Sequence, residues 1–147
     1  MNTKDLMVGD WVAITEPDDF HGYIGKVVII NGETGYITVH ISNMHLHDVF
    51  VEDLQPILIS SEILEKNNDI LYGELPILFD DGKMHYSIIE CRYVSKEYER
   101  NNETFYCLLS SCAYNGDSFI TPIAKIRYVH ELQHTLKLCE IEKEIVL

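Results

Sequence analysis

Three consecutive stretches decide how this chain folds: Tyr23-Ile24-Gly25-Lys26-Val27-Val28-Ile29-Ile30, then Asn31-Gly32-Glu33-Thr34, then Gly35-Tyr36-Ile37-Thr38-Val39-His40-Ile41-Ser42. The outer two are rich in β-branched and aromatic residues, and the middle one is turn chemistry, so together they predict a hairpin. In the third stretch Ile37, Val39 and Ile41 share one face, while Tyr36, Thr38 and His40 share the other. Upstream, Asp10-Trp11-Val12-Ala13-Ile14 reads as a strand, and Gly9 and Gly22 mark turns around it. Downstream, Asp48–Leu54 supplies a fourth strand, and Pro56 closes the unit. Short strands with no helix between them favour a small barrel over residues 1–57.

The rest of the chain changes character. Ser60–Asn68 reads as a short helix, with Ser60 or Ser61 as N-cap and the Asn pair as its stop. Strands follow at Leu75–Phe79, Met84–Val94 and Thr104–Tyr114, with turns at Asp80-Asp81-Gly82 and Asn115-Gly116-Asp117. The charged stretch Ser95–Glu103 reads as a solvated connection. Arg127–Cys139 reads as a helix whose Val129, Leu132, Leu136 and Cys139 form an apolar stripe facing a sheet. The expected fold is therefore α+β and mainly β. An SH3-like small barrel (1–57) precedes an α+β domain (58–147) with a packed helix near 127–139.

Charge and composition exclude several functions. At 147 residues with 46% hydrophobic and 24% charged, the chain is long and apolar enough to bury a core, which argues against disorder. Eleven basic against 24 acidic residues give −13, and residues 1–60 hold nine acids and only Lys4 and Lys26. No basic face is available for direct nucleic-acid binding. No apolar run approaches the ~20 residues that span a bilayer, and Met1–Asp10 lacks a signal-peptide profile, so no membrane partner and a cytoplasmic location are expected. Cys91, Cys107, Cys112 and Cys139 form no C-x-x-C pair and read as reduced structural thiols.

Two resemblances add to this reading. Gly9-Asp10, Val12, Gly22, Gly25 and Val27 match the KOW-type opening of SH3-like barrels, over about the first 30 residues. In such barrels the loop between the first two strands often binds RNA or protein. Here that loop, Thr15–His21, is acidic. Ile126-Arg127-Tyr128-Val129-His130-Glu131-Leu132-Gln133 resembles the Tyr-Val-His-x-Leu-Gln signature of short proteins from gut Bacteroides-type bacteria, often found near prophage or mobile-element genes. Lys4–Val12 and Val51–Leu64 are similar to the same family's opening and barrel-to-helix junction. The resemblance implies membership and origin rather than an activity.

One motif points to chemistry. His130-Glu131-Leu132-Gln133-His134 is a literal H-E-x-x-H on an expected helix, the pattern in which two His hold zinc and the Glu serves as general base. Against it, only 13 residues follow His134, and Glu140, Glu142 and Glu144 are the only downstream candidates for a third ligand. Lys137 and Glu140 stand where the longer zinc-protease pattern has Gly and His. The resembling family commonly has Asn at the position of His134. A second cluster, His40, His45, His47 and Asp48, offers metal-ligand types around a hairpin.

The expectation is a cytoplasmic, non-catalytic accessory protein, a protein-interaction module of a prophage or mobile element, with Trp11, Phe20, Tyr23 and Tyr36 as candidate anchors. No catalytic, cofactor-binding or metal residue is assigned, and no cofactor is expected. Two alternatives stand beside it: a zinc-dependent hydrolase using His130, Glu131 and His134, and an acidic DNA-mimic inhibitor.

Overall fold

The computed structural model describes residues 2–16, 18–41, 46–67, 70–72, 75–80, 84–92, 104–114 and 117–147. Among these residues, two antiparallel five-stranded sheets and two α-helices make the fold α+β and mainly β. Contacts group Met1–Leu58 with Tyr128–His134 as one compact unit, and Ile59–Arg127 with Thr135–Leu147 as the other.

In the first unit the strands are β1 (Trp11–Ile14), β2 (Ile24–Ile30), β3 (Tyr36–Ile41), β4 (Leu46–Phe50) and β5 (Leu54–Pro56), in the order β4-β3-β2-β1-β5. The β3 alternation is as expected, with Ile37, Val39 and Ile41 buried beside Val12, Ile14, Val27, Val49 and Leu54. Asn31 makes the hairpin turn: its Oδ1 accepts the N–H groups of Glu33 and Thr34, both at 3.2 Å. Gly35 completes the turn at φ +75°, a conformation that costs glycine little. Gly25 answers a different need. A Cβ there would overlap Val39 Cγ1 and lie 3.0 Å from the His40 carbonyl oxygen.

Two local departures from simple alternation matter. Asp48–Leu54 is not one strand: Val51–Asp53 forms a 3-10 turn that splits it into β4 and β5 at opposite edges of the sheet. A flat five-stranded sheet would hold those edges about 19 Å apart, whereas three 3-10 residues advance about 6 Å. The short link therefore requires the sheet to coil. In β2 a bulge between Val27 and Ile29 inserts Val28, so Ile29 faces outward and is 55% exposed.

The second unit contains α1 (Ser61–Asn67), β6 (Ile70–Tyr72), β7 (Leu75–Asp80), β8 (His85–Arg92), β9 (Thr104–Tyr114) and β10 (Asp117–Ile126), ordered β10-β9-β8-β7-β6. Ser60 Oγ caps α1 by accepting the Ile63 N–H at 3.3 Å. The buried Asn67 does more than stop the helix. Its amide donates to the Val146 carbonyl at 2.7 Å and accepts the Val146 N–H at 2.8 Å, tying down the chain end. The strands β6 and β10 were not anticipated. The expected turn residues Asp81, Gly82, Asn115 and Gly116, the stretch Ser95–Glu103, and Asn68 lie outside the described residues.

The last helix, α2, spans Val129–Leu138. Val129, Leu132 and Leu136 of the expected stripe are fully buried, whereas its fourth member, Cys139, lies past the helix end and is half-buried. The helix ends in a Schellman turn: the Ile141 N–H donates to the Leu136 carbonyl at 2.9 Å, and Glu140 takes φ +59°. That turn carries Glu140 off the helix. No helix among the described residues is long and apolar enough to cross a membrane.

Candidate functional site

The start of α2 is pinned to the end of β5. Leu58 and Tyr128 form an isolated bridge, and the Val129 N–H donates to the Ile57 carbonyl at 2.9 Å. Within the helix, Glu131 Oε2 accepts the Tyr128 N–H at 3.2 Å. This is one half of a capping box, which satisfies a backbone donor that the helix itself leaves unpaired. The carboxylate that the zinc reading makes a general base thus works as a helix cap.

Gln133 and His134 reach 124 residues back along the chain. The Gln133 amide accepts the Trp11 N–H at 3.2 Å and donates to the Gly9 carbonyl at 3.0 Å, copying the pairing of a neighbouring strand. His134 Nε2 lies 2.9 Å from both oxygens of Asp10, a carboxylate only 2% exposed. Asp10 Oδ2 also accepts the Met7 N–H at 2.7 Å, closing a tight turn in which Gly9 sits at φ +99°. Since a carboxylate only accepts, His134 Nε2 carries the proton of this bond. The same nitrogen would be the zinc ligand in an H-E-x-x-H site.

His130 is placed differently. It is 7% exposed, its ring stacked on Tyr128 (centroids 5.7 Å apart, 11° between planes) and edge-on to His134 at 5.8 Å. Its Nδ1 is sealed from solvent and has no hydrogen-bond partner. Burial pushes the His130 pKa below the ordinary histidine value, and the carboxylates of Asp10, Glu131 and Asp5 offset this only in part. The ring is held neutral. Beside it opens a cavity of about 500 Å³, bounded by Lys4, Asp5, Met7, Pro56 and Tyr128 together with the three titratable residues of the motif.

Among the described residues, no three His, Cys, Asp or Glu side chains are grouped to hold a metal ion. In the second cluster, His40 pairs with Leu46 on the outer face of the first sheet. His47 lies opposite the buried Val39, with its ring 4.3 Å from Phe20. The two imidazoles therefore face opposite sides. Asp48 Oδ1 accepts the Thr38 hydroxyl at 2.6 Å, and His45 lies outside the described residues. All four cysteines are free and half-buried; burial, with a further push from Cys91, raises the Cys107 thiol pKa and lowers its reactivity.

The candidate anchors divide. Tyr23 and Tyr36 are exposed, Phe20 packs against the first core, and Trp11 is half-buried with the Lys26 ammonium 5.4 Å from its ring centroid. The sequence reading missed Ile29, Leu46 and Phe50, which also sit on the outer face of the first sheet. It missed Asp10 and Gln133 too, although both are polar residues at edges of apolar stretches, the usual sequence trace of a structural clamp. Comparison with family models and with curated proteins finds no match to this chain.

Proposed function

We propose that this protein is a cytoplasmic, non-catalytic protein-interaction module built on an SH3-like barrel and belonging to a prophage or mobile element. The resemblance around Tyr128–Gln133 supports the origin, and the strand order of the first sheet with its three-residue link from β4 to β5 supports the barrel. The observation that carries the interaction reading is the outer face of that sheet. Tyr36 and Phe50 pair there with centroids 4.3 Å apart, and Ile29 and Leu46 extend the apolar surface along the same side, each more than 40% exposed. Exposed aromatic pairs flanked by aliphatic residues are the usual anchors of protein interfaces. The commitment of Glu131, Gln133 and His134 to holding their own unit argues against a hydrolase, and the −13 net charge argues against direct nucleic-acid contact.

The test is cross-linked capture from the cells that encode the protein, using the parent chain and the double variant Tyr36→Ser/Phe50→Ser. A stoichiometric protein partner held by the parent and lost by a variant with an unchanged circular dichroism spectrum is the expected result. Hydrolytic turnover lost in both His130→Ala and Glu131→Gln, or salt-sensitive binding to duplex DNA, would replace this reading.

A further inference from the structure

We infer that the cavity beside His130 receives an arginine or lysine side chain presented by a basic partner protein. This inference rests on the protein-interaction reading and adds to it a second, chemically selective contact.

His130 is more than nine-tenths buried, yet its Nδ1 meets no donor or acceptor. A buried N–H without an acceptor costs more than an unused lone pair, so the proton sits on Nε2. A neutral imidazole N–H of this kind pairs with a carbonyl oxygen, such as the backbone of a bound peptide.

The charges around the ring select the side chain. Desolvation, the largest effect, keeps positive charge off the His130 ring and His134 opposes it too, while Asp10, Glu131 and Asp5 all favour it. A cation that stays at the cavity mouth keeps much of its hydration and can use that field. Lys4 is the cation among the lining residues, and it is itself exposed. An anionic ligand would meet two lining carboxylates, Asp5 and Glu131, against one ammonium, with the buried Asp10 behind His134. Met7, Pro56 and Tyr128 supply apolar walls for the methylene stem of Arg or Lys. At about 500 Å³ the space is far larger than a bare ion needs, and it falls within the range of roughly 300–1,000 Å³ typical of small-ligand sites. A side chain with its flanking peptide backbone fits that description.

The experiment is a titration of the ¹⁵N-labelled full chain with N-acetyl-arginine N-methylamide, followed by amide chemical shifts. Saturable shifts are expected at Met7, His130 and Glu131, with none at Tyr36 or Phe50. The citrulline analogue, isosteric and uncharged, is expected to give no saturation. Glu131→Gln keeps an amide oxygen to cap Tyr128 and removes the negative charge. It and Asp5→Asn are each expected to weaken binding roughly two- to fivefold, as for partly exposed ion pairs. Absence of saturable shifts, equal binding of citrulline, or tighter binding of the N-acetyl-glutamate counterpart would overturn the inference. Tighter binding of free arginine than of the capped form would do so as well, because it would indicate a small-molecule site. None of these outcomes touches the capture result at Tyr36 and Phe50, so the two readings fail separately.

Discussion

The strands β3 and β10 differ in how they meet solvent. Along β3, Ile37, Val39 and Ile41 are buried and the residues between them are not. Along β10, every residue from Ser118 to Ile123 is exposed, on both faces of the strand. Both are held by antiparallel pairing, β3 between two neighbours and β10, among the described residues, at the edge against β9. Backbone pairing therefore builds a strand without help from hydropathy, while alternation records one-sided burial. Stability should follow the burial and not the pairing.

The largest expected effect breaks the β3 side of this comparison. Ile37→Ala removes a fully buried side chain from the first core, and roughly 2–4 kcal/mol should be lost in urea unfolding. A loss below about 1 kcal/mol would mean that the first core is loosely packed.

Next come the side chains that fasten α2 to the Gly9–Trp11 segment. Gln133→Ala removes the amide that pairs with the Trp11 N–H and the Gly9 carbonyl, and His134→Ala removes the imidazole that pairs with the buried Asp10. Each should cost roughly 1–3 kcal/mol. The resembling family commonly has Asn at this position, but the contact of His134 with a 2% exposed carboxylate is the reason to expect a cost here. Metal addition should raise the melting temperature of the parent chain by no more than it raises that of the His130→Ala variant.

A smaller effect should follow pH. In the unfolded chain His130 titrates near the ordinary value, about 6.5, while in the folded chain burial holds its pKa lower. Between those two values the unfolded state binds the extra proton, so stability is complete above pH ~6.5 and declines as pH falls below it. The difference in unfolding midpoint between the parent and His130→Phe, followed from pH 7.5 to 5, should isolate this contribution from the other histidines. A parent that gains stability over that range relative to the variant would show that His130 is charged in the fold.

Legibility in the sequence divides along the same lines. The hairpin from Tyr23 to Ser42 was readable because Ile37, Val39 and Ile41 alternate and Asn31-Gly32 marks the turn. The α2 stripe was readable because Val129, Leu132 and Leu136 return at helical spacing. The strand β10 was not, since Phe119, Ile120, Pro122 and Ile123 carry no two-residue period and Pro122 argues against a central strand. The 3-10 turn at Val51–Asp53 was hidden because Val51 and Leu54 suit a strand as well as they suit the two sides of a break. At the candidate site, His130, Glu131 and His134 were found by motif, but what they do was not legible. The Asp10 contact and the cavity are set by a fold that brings residues 124 apart together, and spacing along a chain carries no trace of that.

The smallest expected effect lies on the β10 side. Ile120 is 59% exposed and pairs with Ser111, so its side chain gains little from folding beyond its local β preference. Replacing it with Thr keeps the branch at Cβ and the backbone pairing, and the unfolding midpoint should shift by no more than about 0.5 kcal/mol. Self-association should not change either. The strand is an edge, but Pro122 withholds a backbone N–H and the register shift between Pro122 and Ala124 bends it, two devices that discourage a second strand from pairing there. Sedimentation of parent and Ile120→Thr at equal concentration checks this. A loss above about 1 kcal/mol, or a parent dimer abolished by the substitution, would show that β10 is covered in solution. The exposure of both its faces would then mark an interface and not a free surface.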